Sequence, residues 1–262
     1  MPSSDLDWQQ KLDKLYWRGA NTGGKSLGLN WIGWQRSRLV SRTNRPADWN
    51  HYDRVILSDT AASNASKTVA SLLDLPATDL NTMTDIAFSS TDAHGEHESL
   101  ESQRREPSFR FTGWTPFGNA YLNKAVLDMD GTAYSGRFIA LMSSNSAVFK
   151  QRLFIEAFTD SLIPWFHYVP LSIRANELYN LLVYFFGIPA KISVKLSRQD
   201  HARADRSTPH ERELKAIAMN GKNWARQCGK KADMMSYLAL LVMEWSRLMG
   251  PDNERDQGLI MG

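Results

Sequence analysis

The chain has 262 residues, of which 42% are hydrophobic and 23% are charged, and its formal net charge at pH 7 is +3. This length and apolar content are enough to bury a core in one large domain or two small ones, while the nearly balanced charge argues against nucleic acid as a partner. Cys228 is the only cysteine, which excludes an internal disulfide bond.

The N-terminal segment carries no targeting or membrane signal. Residues 1–8 are polar and acidic, without the apolar stretch of a signal peptide. No apolar run is long enough to span a bilayer, so we expect no membrane contact by this chain. We predict one domain over 8–250, with flexible termini at 1–7 and 251–262.

The N-terminal half predicts strands and helices in alternation. A strand is predicted at 14–18, followed by a loop over 19–33 that contains five glycines. A helix over 34–42 then carries Arg36, Arg38 and Arg42. The remaining predictions here are a strand at 53–57, a helix at 62–73, a short strand at 85–88, a polar loop or weak helix at 91–107 and an extended segment at 109–114.

The central segment has the clearest pattern. We predict a buried strand at 124–128, a helix that runs to Met142 with Ser135 as its cap, and further strands at 147–149 and 165–169. Strands that alternate with helices predict a parallel α/β sheet.

The C-terminal third predicts two helices. Thr208, Pro209 and Glu211 combine a capping box with a proline at the first helical position. Two apolar stripes at helical spacing follow, and we interpret both as packing faces: Leu214, Ile217, Ala218, Gly221, Trp224 and Ala225, then Met234, Tyr237, Leu238, Leu241, Val242, Trp245 and Leu248. The charged segment 191–207 is interpreted as a solvated insertion.

A P-loop pattern follows the first strand, because the residues from Gly19 to Ser26 match G-x-x-x-x-G-K-[ST]. The helix after a P-loop begins at its Lys-Ser pair, where the helix N-terminus holds the phosphates. Here Gly28 and Gly33 interrupt that stretch, and the preceding strand is aromatic and basic instead of aliphatic. A P-loop nucleotide hydrolase stays as an alternative, and replacing Lys25 would separate it from the other hypotheses.

Three further groups could carry chemistry. Asp128 and Asp130 could share a divalent cation, but a turn at a strand end also explains them, and we favour the turn. The histidines and glutamates of 94–98 lie in a polar segment without periodicity, so we assign no site to them. His167 lies in an aromatic segment, where a polar ring needs a partner. We predict no metal site.

A phosphate position is predicted where the central helix begins. Ser135, Gly136 and Arg137 follow a strand and a turn. Free backbone N–H groups and a guanidinium would meet there, and both favour a bound anion.

Several groups of residues along the chain form a recognisable series. They are 15–19 with 22–24, 36–40, 126–138, 144–150, 162–170, and 221–225 with Asp233, Met234 and Tyr237. In this order they resemble the domain of the fungal capsule-associated glycosyltransferases, glycosyltransferase family 90, which also includes animal protein O-glucosyltransferases with an endoplasmic-reticulum retention tail. The resemblance extends over most of the chain.

The resemblance implies a GT-B fold, in which two Rossmann-like domains face a cleft and this chain forms the C-terminal, donor-binding lobe. It implies transfer of a glucose- or xylose-type sugar from a UDP-sugar to a hydroxyl of a glycan or protein, without a required metal, in the secretory pathway. Arg137 and Arg36 would hold the diphosphate. The full set of implied donor-binding residues is Arg18, Gly19, Arg36, Asp130, Ser135, Gly136 and Arg137.

The chain differs from the family pattern in three places. The acceptor-binding lobe that precedes this region, with its expected general-base aspartate, is not in the sequence. Glu156 is followed by Ala157 where the family has Glu-Trp, and the tail carries no retention signal. A non-catalytic protein that binds a UDP-sugar is therefore the second hypothesis, and we expect at most trace transferase activity from this chain alone.

Overall fold

The computed structural model describes residues 5–59, 69–91, 94–206 and 209–249. Its strands are β1 (Leu12–Ala20), β2 (Lys25–Ser26), β3 (Tyr52–Asp59), β4 (Val69–Pro76), β5 (Thr84–Ser90), β6 (His94–Gly95), β7 (Asn123–Met129), β8 (Ala147–Gln151) and β9 (Val169–Pro170). Its α-helices are α1 (Gln35–Thr43), α2 (Ala77–Leu80), α3 (His97–Arg104), α4 (Phe138–Met142), α5 (Leu178–Phe186), α6 (Ala190–Ser193), α7 (Arg198–Arg206), α8 (Glu211–Cys228) and α9 (Lys231–Leu248).

The central sheet has five parallel strands in the order β5-β1-β7-β8-β9. Helices flank it, so the protein has an α/β, Rossmann-like fold, and this part of the sequence prediction is confirmed. Every residue of β7 and β8 is buried, as expected for the middle strands of a parallel sheet that is covered on both faces. In the sequence each strand has a short apolar run, at 125–127 and at 147–149, with polar residues beside it.

Two hydrophobic clusters cover the two faces of the sheet. The larger one contains Leu15 and Trp17 of β1 with Leu39 and Val40 of α1, and it extends to α5 and to the first half of α8. The smaller one contains alternate strand residues and their neighbours: Tyr16, Ala120, Tyr121, Val126, Phe138, Leu141, Met142, Val148, Leu162, Tyr168, Trp224 and Ala225. The connection after β1 thus packs on one face, and the connection after β7 packs on the other.

One prediction in the N-terminal half is wrong. The stretch 69–73 was expected to be helical, but it belongs to β4, which pairs antiparallel with β3. Val55 and Leu57 of β3 and Leu73 and Leu75 of β4 are buried in the larger cluster, so the hairpin covers the central sheet without joining it. Residues 60–68, the remainder of that helix prediction, lie outside the described residues.

One further local prediction needs correction, and one pair of alternatives is decided. The polar segment 91–107, expected as a loop or a weak helix, contains a helix, α3. The strand predicted at 165–169 is a turn, in which Trp165 has a φ of 67°, and only Val169 and Pro170 form a strand. His167 accepts a hydrogen bond at Nδ1 from the N–H of Ile163 at 2.9 Å, which supplies the partner that its ring needs.

The two long C-terminal helices differ in burial. All the predicted stripe residues of α8 are buried, which confirms its packing face. Every residue of α9 is described and none is buried. The packing face predicted for this helix is therefore wrong. The helix α8 begins at Glu211 with His210 in the cap position and no side-chain cap, and Thr208 lies outside the described residues.

Asp5, near the N-terminus, contacts two residues of the described chain. The Asp5 carboxylate forms an ion pair of 2.6 Å with Lys11 and accepts the backbone N–H of Asn145 at 2.7 Å. Residues 1–4 and 251–262 lie outside the described residues. Among the helices of the described chain, none is long and apolar enough to cross a membrane.

Candidate functional site

A crevice opens where the chain changes direction across the sheet. The connections after β1 and β7, which are neighbours in the sheet, leave to opposite faces, and open α/β sheets bind ligands at such a point, beyond the carboxyl ends of the strands. The crevice has a volume of about 190 Å³. Its lining comes from the ends of both strands, the start of α4 and the segment 114–120: Tyr16, Trp17, Arg18, Gly19, Ser89, Trp114, Thr115, Pro116, Phe117, Ala120, Val126, Leu127, Arg137 and Leu141.

Trp17 and Gly19 shape the β1 side of the crevice. A Cβ atom at Gly19 would lie 2.5 Å from the Trp17 ring, so only glycine lets the indole fold over the strand end. The guanidinium carbons of Arg36 and Arg137 lie 5.4 and 5.8 Å from the centre of this ring. The buried indole therefore lies within cation–π range of two positive groups.

Arg137 lines the crevice and has one unpaired hydrogen-bonding group beside it. One end of its guanidinium donates to the carbonyl of Arg18, whereas its Nη2 is buried without an acceptor among the described residues. Burial lowers the pKa of Arg137, and Asp128 opposes that shift. A buried guanidinium with a free N–H is suited to bind an oxyanion, since such a bond would satisfy its donor.

Arg36 lies next to the crevice, against the Trp17 ring, and most of its donors are occupied. Its Nε donates to the carbonyl of Asp130 at 2.9 Å, and its Nη2 donates to that of Met129 at 3.0 Å. Its Nη1 donates to the carbonyl of Ala20 and to the Thr22 hydroxyl. Four of the five guanidinium N–H groups thus tie the end of β1 to the end of β7. Arg36 holds the two strand ends together, and its predicted contact with a diphosphate stays a prediction.

Two observations show how tightly Arg36 is enclosed. Burial, with repulsion from Arg137 as the second cause, lowers the pKa of Arg36 to about 10. A Cβ atom at Gly131 would lie 2.8 Å from the Thr22 hydroxyl oxygen and 3.0 Å from the Arg36 Nη2. Gly131 therefore makes room for the guanidinium at the end of β7.

The acidic pair after β7 faces the protein interior. Asp128 accepts hydrogen bonds from Ser135 Oγ and from Lys150 Nζ, the latter at 2.8 Å. Asp130 accepts the backbone N–H groups of Leu153 and of the next residue through one oxygen. Both aspartates are buried, and they point to different partners. They do not form a shared cation position, which agrees with the turn interpretation.

Ser135 does not cap α4, which corrects the sequence prediction. The helix α4 begins at Phe138, with Arg137 in the cap position and without a side-chain cap. The Ser135 hydroxyl is used instead by Asp128, and this bond anchors the turn that carries Gly136 and Arg137. Gly136 is exposed, and a Cβ atom there would meet nothing within 4 Å.

A buried ion network lies below this turn, and the sequence analysis did not find it. The Lys150 ammonium contacts Asp128 at 2.8 Å and Glu156 at 2.9 Å. Burial raises the pKa of Glu156, while Lys150 lowers it. The apolar pattern of β8 gave one signal, because Lys150 is a charged residue inside a buried strand.

Arg18 contributes mainly its backbone to the crevice. Its guanidinium turns to β5, where it forms an ion pair of 2.7 Å with Asp85, and Arg110 contacts the same carboxylate at 2.7 Å. The structure therefore brings Arg18, Gly19 and Arg137 to one crevice and places Arg36 next to it. It places the side chains of Asp130 and Ser135 in structural contacts beneath that crevice.

The P-loop residues have no P-loop geometry. Lys25 and Ser26 form β2, which pairs in parallel with β6, and the next α-helix begins only at Gln35. Ser26 is buried, and its hydroxyl bonds to Ser99 at 2.6 Å, whereas Lys25 is exposed. A helix N-terminus, which a P-loop needs for its phosphates, does not follow the Lys-Ser pair.

Within the described residues, no group of three or more histidine, cysteine, aspartate or glutamate side chains is placed to hold a metal ion. No protein-family model matches the chain.

Proposed function

We propose that this protein binds a UDP-sugar at the crevice between β1 and β7 and acts as the donor-binding part of a glycosyltransferase. The observation that carries the proposal is the unoccupied Arg137 N–H at the switch point of the sheet. Because Gly19 has no side chain, a ligand can approach the backbone of β1 closely. Arg36 adds a second positive charge nearby. The resemblance to family 90 supplies the class of donor.

The size of the crevice sets how much of the ligand it takes. Its volume of about 190 Å³ is below the roughly 300–1,000 Å³ of most small-molecule sites. One ring fits inside, and the rest of a UDP-sugar extends beyond the strand ends. In this arrangement Arg137 faces the diphosphate.

The proposed chemistry is transfer of a glucose- or xylose-type sugar to a hydroxyl of a glycan or protein in the secretory pathway. The bond between the anomeric carbon and the diphosphate breaks, and the acceptor oxygen forms a new bond to that carbon. Arg137 stabilises the charge that develops on the leaving diphosphate. No metal is required for this role.

The acceptor proton needs a base, and this requirement favours a second candidate. Among the described residues that line the crevice, none is a carboxylate or a histidine. Asp128 and Asp130 are buried and hydrogen-bonded, so they cannot meet an acceptor hydroxyl. A protein that binds UDP-sugars without transferring the sugar is therefore the alternative, and general-base catalysis would add about 10²–10⁴-fold if another chain or domain supplied the base.

The nucleotide preference tests the proposal. We expect UDP to raise the thermal unfolding midpoint of the full chain, Mg-ATP to raise it little, and Lys25→Ala to leave the UDP effect unchanged. A ligand at about a hundred times its dissociation constant stabilises by roughly 2.7 kcal/mol. A large Mg-ATP shift that Lys25→Ala abolishes would instead support the P-loop alternative.

A transfer assay separates the two candidates. Radiolabelled UDP-glucose and UDP-xylose are incubated with the chain and simple glycoside acceptors, and both transfer and hydrolysis are measured. We expect binding with at most trace transfer. Rapid transfer by the chain alone would show that it holds its own base.

A further inference from the structure

A second pocket lies on the outer side of α1. It has a volume of about 390 Å³ and shares no lining residue with the crevice. We call it the arginine pocket, and its lining is Trp31, Ile32, Ser37, Arg38, Ser41, Arg42, Arg45, Trp49, Glu106, Phe109 and Arg174. Nothing in the proposed function uses it.

Helix geometry explains why the two sites are separate. Successive residues of an α-helix are rotated by about 100°, so Arg36 and Arg38 point about 200° apart. Arg36 faces the strand ends, and Arg38, Ser41 and Arg42 face the other way. The arginines of one short helix therefore serve two different surfaces.

Positive charge exceeds negative charge in the arginine pocket. Four arginines line it, and the nearby carboxylates are Asp53 and Glu106. Asp53 is used by Arg42 and, at 3.8 Å, by Arg45. Glu106 accepts from Ser108. Arg38 donates only to backbone carbonyls, and Arg174 is exposed. Two guanidinium groups thus have no carboxylate partner among the described residues.

Several donors of the lining residues are buried without an acceptor in the described part of the chain. They are the Nε of Arg38, the Nε of Arg42 and the hydroxyl of Ser37, whereas the Nη1 of Arg45 faces the Asp53 carboxylate at 3.8 Å. Ser37 belongs to the pocket lining and is only 2% exposed. A buried donor that lacks an acceptor is costly, and a shared oxyanion would satisfy several of these donors at once.

The remaining wall of the pocket is apolar and aromatic. Trp31 and Phe109 pack edge to face with ring centres 5.3 Å apart, and Trp49 presents an indole that is 46% exposed. A free inorganic anion would leave these rings exposed to water, whereas a ligand with a planar or apolar group would cover them.

From the open donors, the excess positive charge and the aromatic wall, we propose that the arginine pocket is a second ligand site. It takes an oxyanion, either a phosphate or a carboxylate, that is carried on a planar or apolar group. The proposal does not depend on UDP-sugar binding at the crevice.

Calorimetric titration of the full chain with phenyl phosphate tests this site, with benzoate and inorganic phosphate as parallel probes. We expect phenyl phosphate or benzoate to bind more tightly than inorganic phosphate, and the tighter of the two identifies the oxyanion. Arg174→Gln and Ser37→Ala should each weaken binding by about tenfold, the size expected for a lost charge-assisted hydrogen bond. Arg54→Gln, an exposed arginine outside both sites, is the charge-matched control and should change nothing.

The Ser37→Ala variant distinguishes binding from folding, because removing a buried hydroxyl without a partner does not lower the thermal unfolding midpoint in the absence of ligand. Arg137→Ala should retain phenyl phosphate binding, which separates this site from the crevice. The proposal is wrong if the wild type binds none of the probes, if Arg54→Gln weakens binding as much as Arg174→Gln, or if Arg137→Ala alone abolishes it.

Discussion

The crevice is flanked by two arginines that come from opposite sides of the sheet and make different contacts. Arg36 follows β1 and donates to three backbone carbonyls and the Thr22 hydroxyl. Arg137 follows β7 and donates to the carbonyl of Arg18, while its Nη2 has no acceptor among the described residues. A buried guanidinium whose N–H groups donate to strand-end carbonyls stabilises the fold. A guanidinium with an unpaired N–H group can bind an anion.

The comparison changes what each substitution should do. Both arginines were expected to hold a diphosphate, so loss of either would weaken nucleotide binding. The contacts now assign folding stability mainly to Arg36 and ligand binding mainly to Arg137. The variants that follow challenge this division, in order of decreasing expected effect.

The largest effect is expected for Arg36→Ala. It removes the hydrogen bonds to the carbonyls of Ala20 and Met129 and leaves that of Asp130 with Gln35 alone, and each hydrogen bond lost from a charged donor costs about 1.5–3 kcal/mol. Urea unfolding measures the free energy of unfolding. The control is Arg54→Ala, which removes an exposed ion pair and should change the free energy of unfolding little. Equal stability of the two variants would contradict the framework role.

Arg137→Ala should act on binding instead. We expect the affinity for UDP to fall about ten- to hundredfold, which corresponds to roughly 1.5–3 kcal/mol for a charge-assisted hydrogen bond. The free energy of unfolding should change by about 1 kcal/mol or less, since one protein hydrogen bond is lost. Calorimetric titration with UDP measures the first quantity, and unchanged UDP affinity would remove the site assignment.

Gly131→Ala tests the close approach at Arg36. Its Cβ would lie 2.8 Å from the Thr22 hydroxyl oxygen, and such overpacking costs about 1–3 kcal/mol. Gly136→Ala is the matched control, because a Cβ there meets nothing within 4 Å. Thermal unfolding compares the midpoints of the two variants. Identical midpoints would show that the space around Arg36 can accommodate the added methyl group.

The smallest effect concerns Asp85, which fixes the guanidinium of Arg18. Burial alone would raise the pKa of Asp85, but hydrogen bonds from Arg18 and Arg110 hold it below its ordinary value. The charged form is therefore stabilised in the folded state, and this contribution is present above about pH 4 and is lost as the pH falls through the lowered pKa.

The Asp85→Asn variant measures this contribution. Because the side chain is partly exposed, the wild type should be more stable at pH 7 by less than about 1 kcal/mol, and the difference should decrease as the pH falls below about 4. Unfolding free energies over this pH range provide the check. A stability difference that grows on acidification would contradict the assigned direction.

The sequence predicted a strand correctly where its own residues indicate burial, without reference to the strand that it pairs with. β7 and β8 are buried on both faces, so their composition alone marks them as strands. β4 was predicted as a helix because its pairing with β3 depends on a partner that lies across a loop. The apolar stripe of α9 correctly predicted a helix, but a stripe carries no information about what covers it.

The arginine contacts show most clearly where a linear pattern stops being informative. Residues 135–137 could be singled out from the sequence because a helix that begins after a strand and a turn is suited to bind phosphate, and residue 19 was implied by the family resemblance. Whether the donors of Arg36 are free depends on the carbonyls of Ala20, Met129 and Asp130, which folding alone brings together. The sequence by itself determined β1, β3, β5, β7, β8 and α1, because these elements follow from local composition. The tertiary structure decided that Arg36 is enclosed and Arg137 is open, because hydrogen bonding of a buried guanidinium depends on distant backbone groups.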